Sequence, residues 1–241
     1  AIHTVACLTR LSRLSQSQQI SPREARLLYT SMPRIMGLVK AHAGELDSQG
    51  LLAVSHALAK LEMYDREAVA ALEAAAEPLL TAMQPQFLTG IVWAFSSLHH
   101  QPPVRWMETV VASACAHIDA FRPADVATLL CALAKMNYKL APKRLETVLA
   151  AVMAKLHSYD GRALYSVLYG LASTGATPGE AWLSAVQSRL AAQPAASMTP
   201  QCMTQAMWAL ARLAPQASCS VQPSLVALAL HHMAVGVDRA G

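Results

Sequence analysis

Amides, hydroxyls, rings and basic groups recur at a fixed interval along this sequence of 241 residues. Counted from the five segment starts Leu46, Met83, Phe121, Tyr159 and Met198, positions 3, 7, 10 and 14 carry a repeating set of residues. They are Gln49, Ala53, His56 and Lys60; Gln86, Gly90, Trp93 and Ser97; Ala124, Thr128, Cys131 and Lys135; Arg162, Ser166, Tyr169 and Ser173; and Gln201, Gln205, Trp208 and Arg212. At about 100° per residue these four positions share one side of a helix, and positions 5, 8, 9, 12 and 15 lie opposite. Small or polar residues dominate the first side. A ladder of donors and acceptors ending in a cation is what single-stranded RNA needs, with base edges met along the ladder and phosphates at its basic ends.

The same residues also have structural readings. The cation at position 14 (Arg10 in a partial N-terminal copy, then Lys60, Lys135 and Arg212) either touches phosphate or complements a helix C-terminus. Trp93, Tyr169 and Trp208 either stack on bases or pack against the adjacent repeat. Lys139, Lys143, Arg144 and Lys155 make either a basic patch or a solvated helix surface. The candidate RNA contacts are Arg10, Arg13, Lys60, Gln86, Lys135, Lys139, Lys143, Arg144, Arg162, Gln201, Gln205 and Arg212.

Catalytic and metal signals fail one by one. There is no phosphate-binding G-x-x-x-x-G-K-[ST], no G-x-G-x-x-G and no H-E-x-x-H. Gly170 to Gly175 has the wrong spacing for a nucleophile elbow. The pairs His99-His100 and His231-His232 are adjacent, so their side chains diverge by about 100° on a helix and do not share one ion. Asp65 and Glu67 read as solubilising turn residues. No enzyme activity, cofactor, metal or small-molecule substrate is expected.

Composition sets the frame. The chain is 54% hydrophobic but only 5% aromatic, which favours close packing of helices by small side chains. Net charge is +4, yet residues 1–45 and 121–158 each carry +4 while 46–82 carry −4. A polyanion should prefer the two basic stretches. The 27 residues from Pro78 to Val104 lack formal charge, but Gln84, Pro85, Gln86, His99, His100 and Pro102 interrupt them, so no membrane span is expected. The opening residues have no basic segment before an apolar run, so no secretory signal is expected there. Five widely spaced cysteines without a C-x-x-C pair suit a reducing compartment.

The ladder requires helices to position it. The five segments align without gaps over seventeen positions, from LDSQGLLAVSHALAKLE to MTPQCMTQAMWALARLA, with starts 37, 38, 38 and 39 apart. In each, apolar residues at steps of three and four, such as Val126, Leu129, Leu130, Leu133 and Met136, mark one face of a first helix. Asp47-Ser48, Gln84-Pro85, Arg122-Pro123, Asp160-Gly161 and Thr199-Pro200 mark its start. Pro102-Pro103, Pro142, Pro178 and Pro223 open a second helix. Cys7 to Leu11 matches Ala57 to Leu61 as a partial sixth copy, followed by a loop about a dozen residues longer. Pro33 and Pro78 should kink or end their helices. The expectation is all-α: an α-solenoid of about six stacked helix hairpins, a single domain over residues 1–241 with an irregular N-terminal hairpin in 1–45.

The run Pro123-Ala124-Asp125-Val126-Ala127-Thr128-Leu129-Leu130-Cys131-Ala132-Leu133-Ala134-Lys135 resembles the octotricopeptide repeat family, and Trp208 to Leu213 matches it more closely still. Pro102, Pro103 and Trp106 look like that family's second-helix start, and the resemblance covers residues 46–213. It implies an organellar RNA-binding protein of green-algal type, in mitochondria or chloroplasts. Such a protein acts on transcript stability, processing or translation, or within a mitochondrial ribosome. Gly161 and Arg162 in the fourth copy, and Ser48 and Gly50 in the first, depart from the pattern and put base reading by those copies in doubt. Five one-base repeats would distinguish only about a thousand sequences, which favours ribosomal RNA over a messenger address. A protein–protein adaptor using Trp106, Trp182 and the acidic second unit is the competing reading.

Overall fold

In each full copy a polar residue followed by Pro, Ser or Gly fixes where a helix begins. In the computed structural model, which describes residues 2–16, 21–194 and 199–237, first helices start at Ser48, Pro85, Pro123, Gly161 and Pro200. Each lies two residues after its segment start; Met198 itself and the side chains of His231 and His232 lie outside the described part. Twelve α-helices and four short 3-10 turns account for the described secondary structure, and no strand occurs among the described residues. In chain order the helices are α1 (Ile2–Gln16), α2 (Pro22–His42), α3 (Ser48–Lys60), α4 (Arg66–Ala76), α5 (Pro85–Ser97) and α6 (Val104–Ala116). They continue as α7 (Pro123–Lys135), α8 (Pro142–Ala154), α9 (Gly161–Thr174), α10 (Glu180–Ala191), α11 (Pro200–Gln216) and α12 (Pro223–Val237). None of the described helices is long and apolar enough to cross a membrane.

Both ends of the first helices are capped by local chemistry. Asp47, Asp160 and Thr199 accept the backbone N–H of Gly50, Ala163 and Cys202 at 2.8, 2.7 and 3.2 Å, satisfying donors that a helix start leaves unpaired. In the first turn of α7 the buried Asp125 accepts from the backbone N–H of Arg122 at 3.1 Å and from its guanidinium at 2.9 Å twice. At the other end Glu62, His99, Asn137, Gly175 and Ser218 take the left-handed conformation. The next N–H then folds back to a helix carbonyl, as in Met63 to Leu58 at 3.0 Å, His100 to Phe95 at 3.0 Å and Tyr138 to Leu133 at 2.9 Å.

The chain divides into two compact units, residues 1–116 and 117–241. Within the first, α1 packs on α3, α3 on α5, and α2 on α4. Leu51, Val54 and Leu58 of α3 and Leu88, Ile91 and Phe95 of α5 are thereby removed from water, each contributing on the order of 1.5–3 kcal/mol. The buried indole of Trp106 donates to the Glu73 carbonyl at 3.3 Å, and Ser113 donates to the Leu80 carbonyl at 2.8 Å. Within the second, α7 packs on α9, α9 on α11, and α10 on α12. There the Trp182 indole donates to the Leu149 carbonyl at 3.0 Å, 33 residues back, the same interval as from Trp106 to Glu73.

One sequence expectation changes, and the two proline expectations resolve differently. The extra length of the N-terminal copy is not a longer loop, because α2 takes it up as one helix of 21 residues. Pro33 lies inside α2 without ending it, whereas Pro78 does cut α4 short, the chain passing at Glu77 into a 3-10 turn. Proline lacks the N–H that the residue four earlier needs, and the two helices accommodate that differently.

Glycine marks where helices touch. A Cβ on Gly170 of α9 would lie 2.8 to 3.0 Å from the Cβ, C and O atoms of Leu130 in α7, most of them rigid backbone. Around Gly37 of α2 nothing lies within 4 Å of such a Cβ. Gly170→Ala is expected to destabilise the fold by about 1–3 kcal/mol through overpacking, and Gly37→Ala to stabilise it by roughly 0.5–1 kcal/mol through helix propensity. Urea unfolding followed by circular dichroism measures both signs.

Candidate nucleic-acid interface

With the apolar face of each first helix turned to its neighbours, positions 3, 7, 10 and 14 are left toward solvent. In the first unit Gln49, Lys60 and Gln86 are exposed, Ala53, His56, Trp93 and Ser97 are half-buried, and Gly90 is buried. Arg10 and Arg13 of α1 are exposed as well. The second unit repeats the arrangement: Ala124, Lys135, Arg162, Gln201, Trp208 and Arg212 are exposed, and Thr128, Cys131, Ser166, Tyr169, Ser173 and Gln205 half-buried. Gly90 is the exception to the expected free surface. A Cβ there would come within 2.3 Å of Leu52 Cδ1, so this position is where α5 rests on α3 rather than part of an open row.

The rings at position 10 pack on their counterparts in the neighbouring copy. His56 and Trp93 lie with ring centroids 4.7 Å apart, and Tyr169 and Trp208 lie 5.4 Å apart. Cys131 takes the same place in α7, its thiol donating to the Ser166 carbonyl of α9 at 3.3 Å while burial pushes its pKa up. Trp208 still leaves 42% of its surface exposed, and the Arg212 guanidinium sits over its ring at 5.1 Å, a cation–π contact. The row thus packs on itself along one direction and keeps an outer face free.

The cations differ in where they sit on the helices and in what the fold asks of them. Lys60 and Lys135 end α3 and α7, where the helix dipole favours them, and their ammonium groups are exposed. Lys139 lies in the turn before α8, and Lys143 and Arg144 occupy that helix's first turn, where the dipole disfavours positive charge. Lys155, expected in the same patch, is taken up by the fold. Its ammonium donates to the carbonyls of Asp119 and Phe121. Arg189 does the same one copy later, donating to the His157 and Tyr159 carbonyls at 2.7 and 3.2 Å. In each case one carbonyl lies within a 3-10 turn, Ile118–Ala120 or Leu156–Ser158, and the other just after it, where the turn's end would otherwise lack donors. A basic residue at the end of the second helix in two copies, Lys155 and Arg189, was the available signal, but it looks like any solvated cation until the preceding hairpin is in place.

Two further clusters escaped the sequence. Glu73 of α4 and His100 after α5 pair at 2.6 Å, largely buried, with Phe95 edge-on to the imidazole and Tyr64 Oη at 3.4 Å from Nδ1. In the second unit Cys202 sits in the first turn of α11. Burial opposes its ionisation, but hydrogen bonds from the Thr199 and Tyr165 hydroxyls and the Arg162 charge outweigh that and hold the thiol below its ordinary range. No group of three or more His, Cys, Asp or Glu able to hold a metal occurs among the described residues.

The His56 imidazole is held neutral. Burial lowers its pKa from 6.5, the nearby Lys60 charge adds to this, and Nε2 is buried without a hydrogen-bond partner. The unfolded chain takes up a proton near 6.5 and the folded one only at lower pH. This contribution to stability is therefore complete above about pH 6.5 and lost as pH falls. His56→Phe should lose less stability than the parent chain between about pH 7.5 and 5.5, read by urea unfolding at each pH. An equal loss in both would show that His56 does not titrate with folding. No protein-family model matches this chain, and no curated protein matches it either.

Proposed function

We propose that this chain is an RNA-binding helical-repeat scaffold, an α-solenoid of about six hairpins that holds already structured RNA. A mitochondrial ribosome is the leading setting and ribosomal RNA the favoured ligand, with other proteins of that assembly as neighbours. The observation that carries the reading is the exposure pattern: on the first helices of both units, the solvent-facing positions are those that hold Gln, Arg, Lys, Ser, Thr and aromatic groups. Amides and rings suit base edges, and terminal cations suit phosphates. The resemblance of residues 46–213 to octotricopeptide repeats points the same way. A mitochondrial or chloroplast factor for messenger stability, processing or translation is the alternative within RNA binding.

The adaptor reading loses its proposed contacts. Trp106 and Trp182 are 2% and 7% exposed, with their indoles bonded inside the fold, and cannot anchor a partner. The acidic groups of residues 46–82 are partly neutralised as well, Lys40 bonding Glu67 at 2.9 Å with Asp65 at 3.9 Å.

Reversing Lys135, Lys139, Lys143 and Arg144 to Glu tests the proposal. Affinity for RNA should fall, and the slope of log affinity against log salt should shrink by about 3 if all four neutralise phosphates. Filter binding at several salt concentrations reads both quantities. Unchanged affinity and slope would place the RNA elsewhere, and capture of protein partners that survives nuclease treatment would favour the adaptor.

A further inference from the structure

Position 10 holds a large or polarisable side chain in every full copy, namely His56, Trp93, Cys131, Tyr169 and Trp208. In the partial N-terminal copy the aligned residue is Ala6. Within the first unit the next step of the row is filled by rings, His56 against Trp93 at 4.7 Å. One helix earlier the ring is missing. There an open groove of about 820 Å³ lies between α1 and the start of α3. Its floor and walls are Val5, Ala6, Gly50 and Ala53, and its rim carries Arg13 and Gln49. Both rim residues are exposed and make no hydrogen bond to described residues.

We propose that this groove takes one unpaired purine base bearing an exocyclic amino group, contributed by the bound RNA. The inference rests on the RNA reading above and gives it a defined subsite. Its volume falls in the range of small-ligand pockets, and its small apolar walls accept a flat ring where the other copies supply their own. The chemistry of the rim chooses base over phosphate. Besides Gln49, the mouth holds the carboxylates of Glu45 and Asp47, which repel a phosphate and accept N–H groups. Glu45 Oε1 is engaged by His42 at 2.9 Å and Asp47 Oδ1 by the Gly50 N–H at 2.8 Å, which orients both groups at the mouth. An amino purine presents donors to these oxygens. Arg13, at the far side of the rim, meets the phosphate that follows.

The test uses the full chain and a single-stranded RNA decamer containing one 2-aminopurine, titrated at two salt concentrations. The wild type should raise the probe's fluorescence on binding, because a base that leaves the stacked strand for a groove without an aromatic wall loses its quenching neighbours. Ala6→Trp fills the groove from an exposed position and should weaken binding about tenfold, the scale of one lost apolar contact. It should abolish the rise and leave the salt slope unchanged, since no cation is removed. Gln49→Ala should weaken the rise without filling the groove, and it carries the test alone if circular dichroism shows that Ala6→Trp is misfolded. Wild-type affinity and fluorescence rise in both variants would overturn the groove while leaving RNA binding in place. A wild type that binds no RNA would remove the broader reading and the subsite with it.

Discussion

No hairpin in this protein can bury its own apolar face, and that constraint organises the rest. Leu130 and Leu133 of α7, or Leu88 and Ile91 of α5, leave water only because another first helix lies against them about one repeat away in sequence. The approach is close enough that Gly170 and Gly90 have no room for a Cβ without movement in the neighbour. Close approach also buries the polar ends of the preceding hairpin. The fold answers with donors from the next copy: Trp106, Ser113, Trp182, Lys155 and Arg189 all donate to backbone carbonyls 30 to 36 residues upstream. Those from Lys155 and Arg189 reach carbonyls at the 3-10 turns, where an unpaired buried acceptor would cost about 1–3 kcal/mol.

The same constraint decides what is free. Within each unit a first helix packs its apolar face on other helices and on at least one neighbouring first helix, so a narrow strip of each remains toward solvent. The strip is only partly open, because its rings lean on one another, as Tyr169 does on Trp208. Stacking between copies fixes ring orientation, and a ring with fixed orientation presents its outer face at a lower entropic cost than a freely rotating one. His56 belongs to this scheme as an uncharged plate beside Trp93.

Much of the fold was legible in the sequence, because it was written in local chemistry. Helix starts fell two residues after the segment starts, since Pro, Ser or Gly after Asp, Gln, Arg or Thr is a physical start signal wherever it occurs. The outward side of each first helix followed from the 3.6-residue period alone. What failed to show was anything that depends on the next copy. Gly90 looked like a small surface residue and is a contact point, and Lys155 looked like a patch cation and is a carbonyl donor. The extra length of the N-terminal copy looked like a longer loop, and Pro33, expected to kink or end its helix, lies inside the 21-residue α2 without ending it. Glu73 and His100 are 27 residues apart, and no periodicity pairs a carboxylate with a histidine at that distance.

On the first helices of both units, charged and uncharged polar groups occupy different places. The cations sit at helix ends, as Lys60 and Lys135 do, or in the hairpin turn at Lys139 and the first turn of α8. The amides, hydroxyls and rings sit between them, on the first helices themselves. Charge at the ends attracts a polyanion from a distance set by the Debye length and carries the salt dependence. The uncharged middle acts only at contact, through hydrogen bonds and stacking that salt barely touches. On the function proposed above, such a division within each unit would suit an RNA already folded by its own pairing, whose few unpaired bases need only a few well-shaped places to settle.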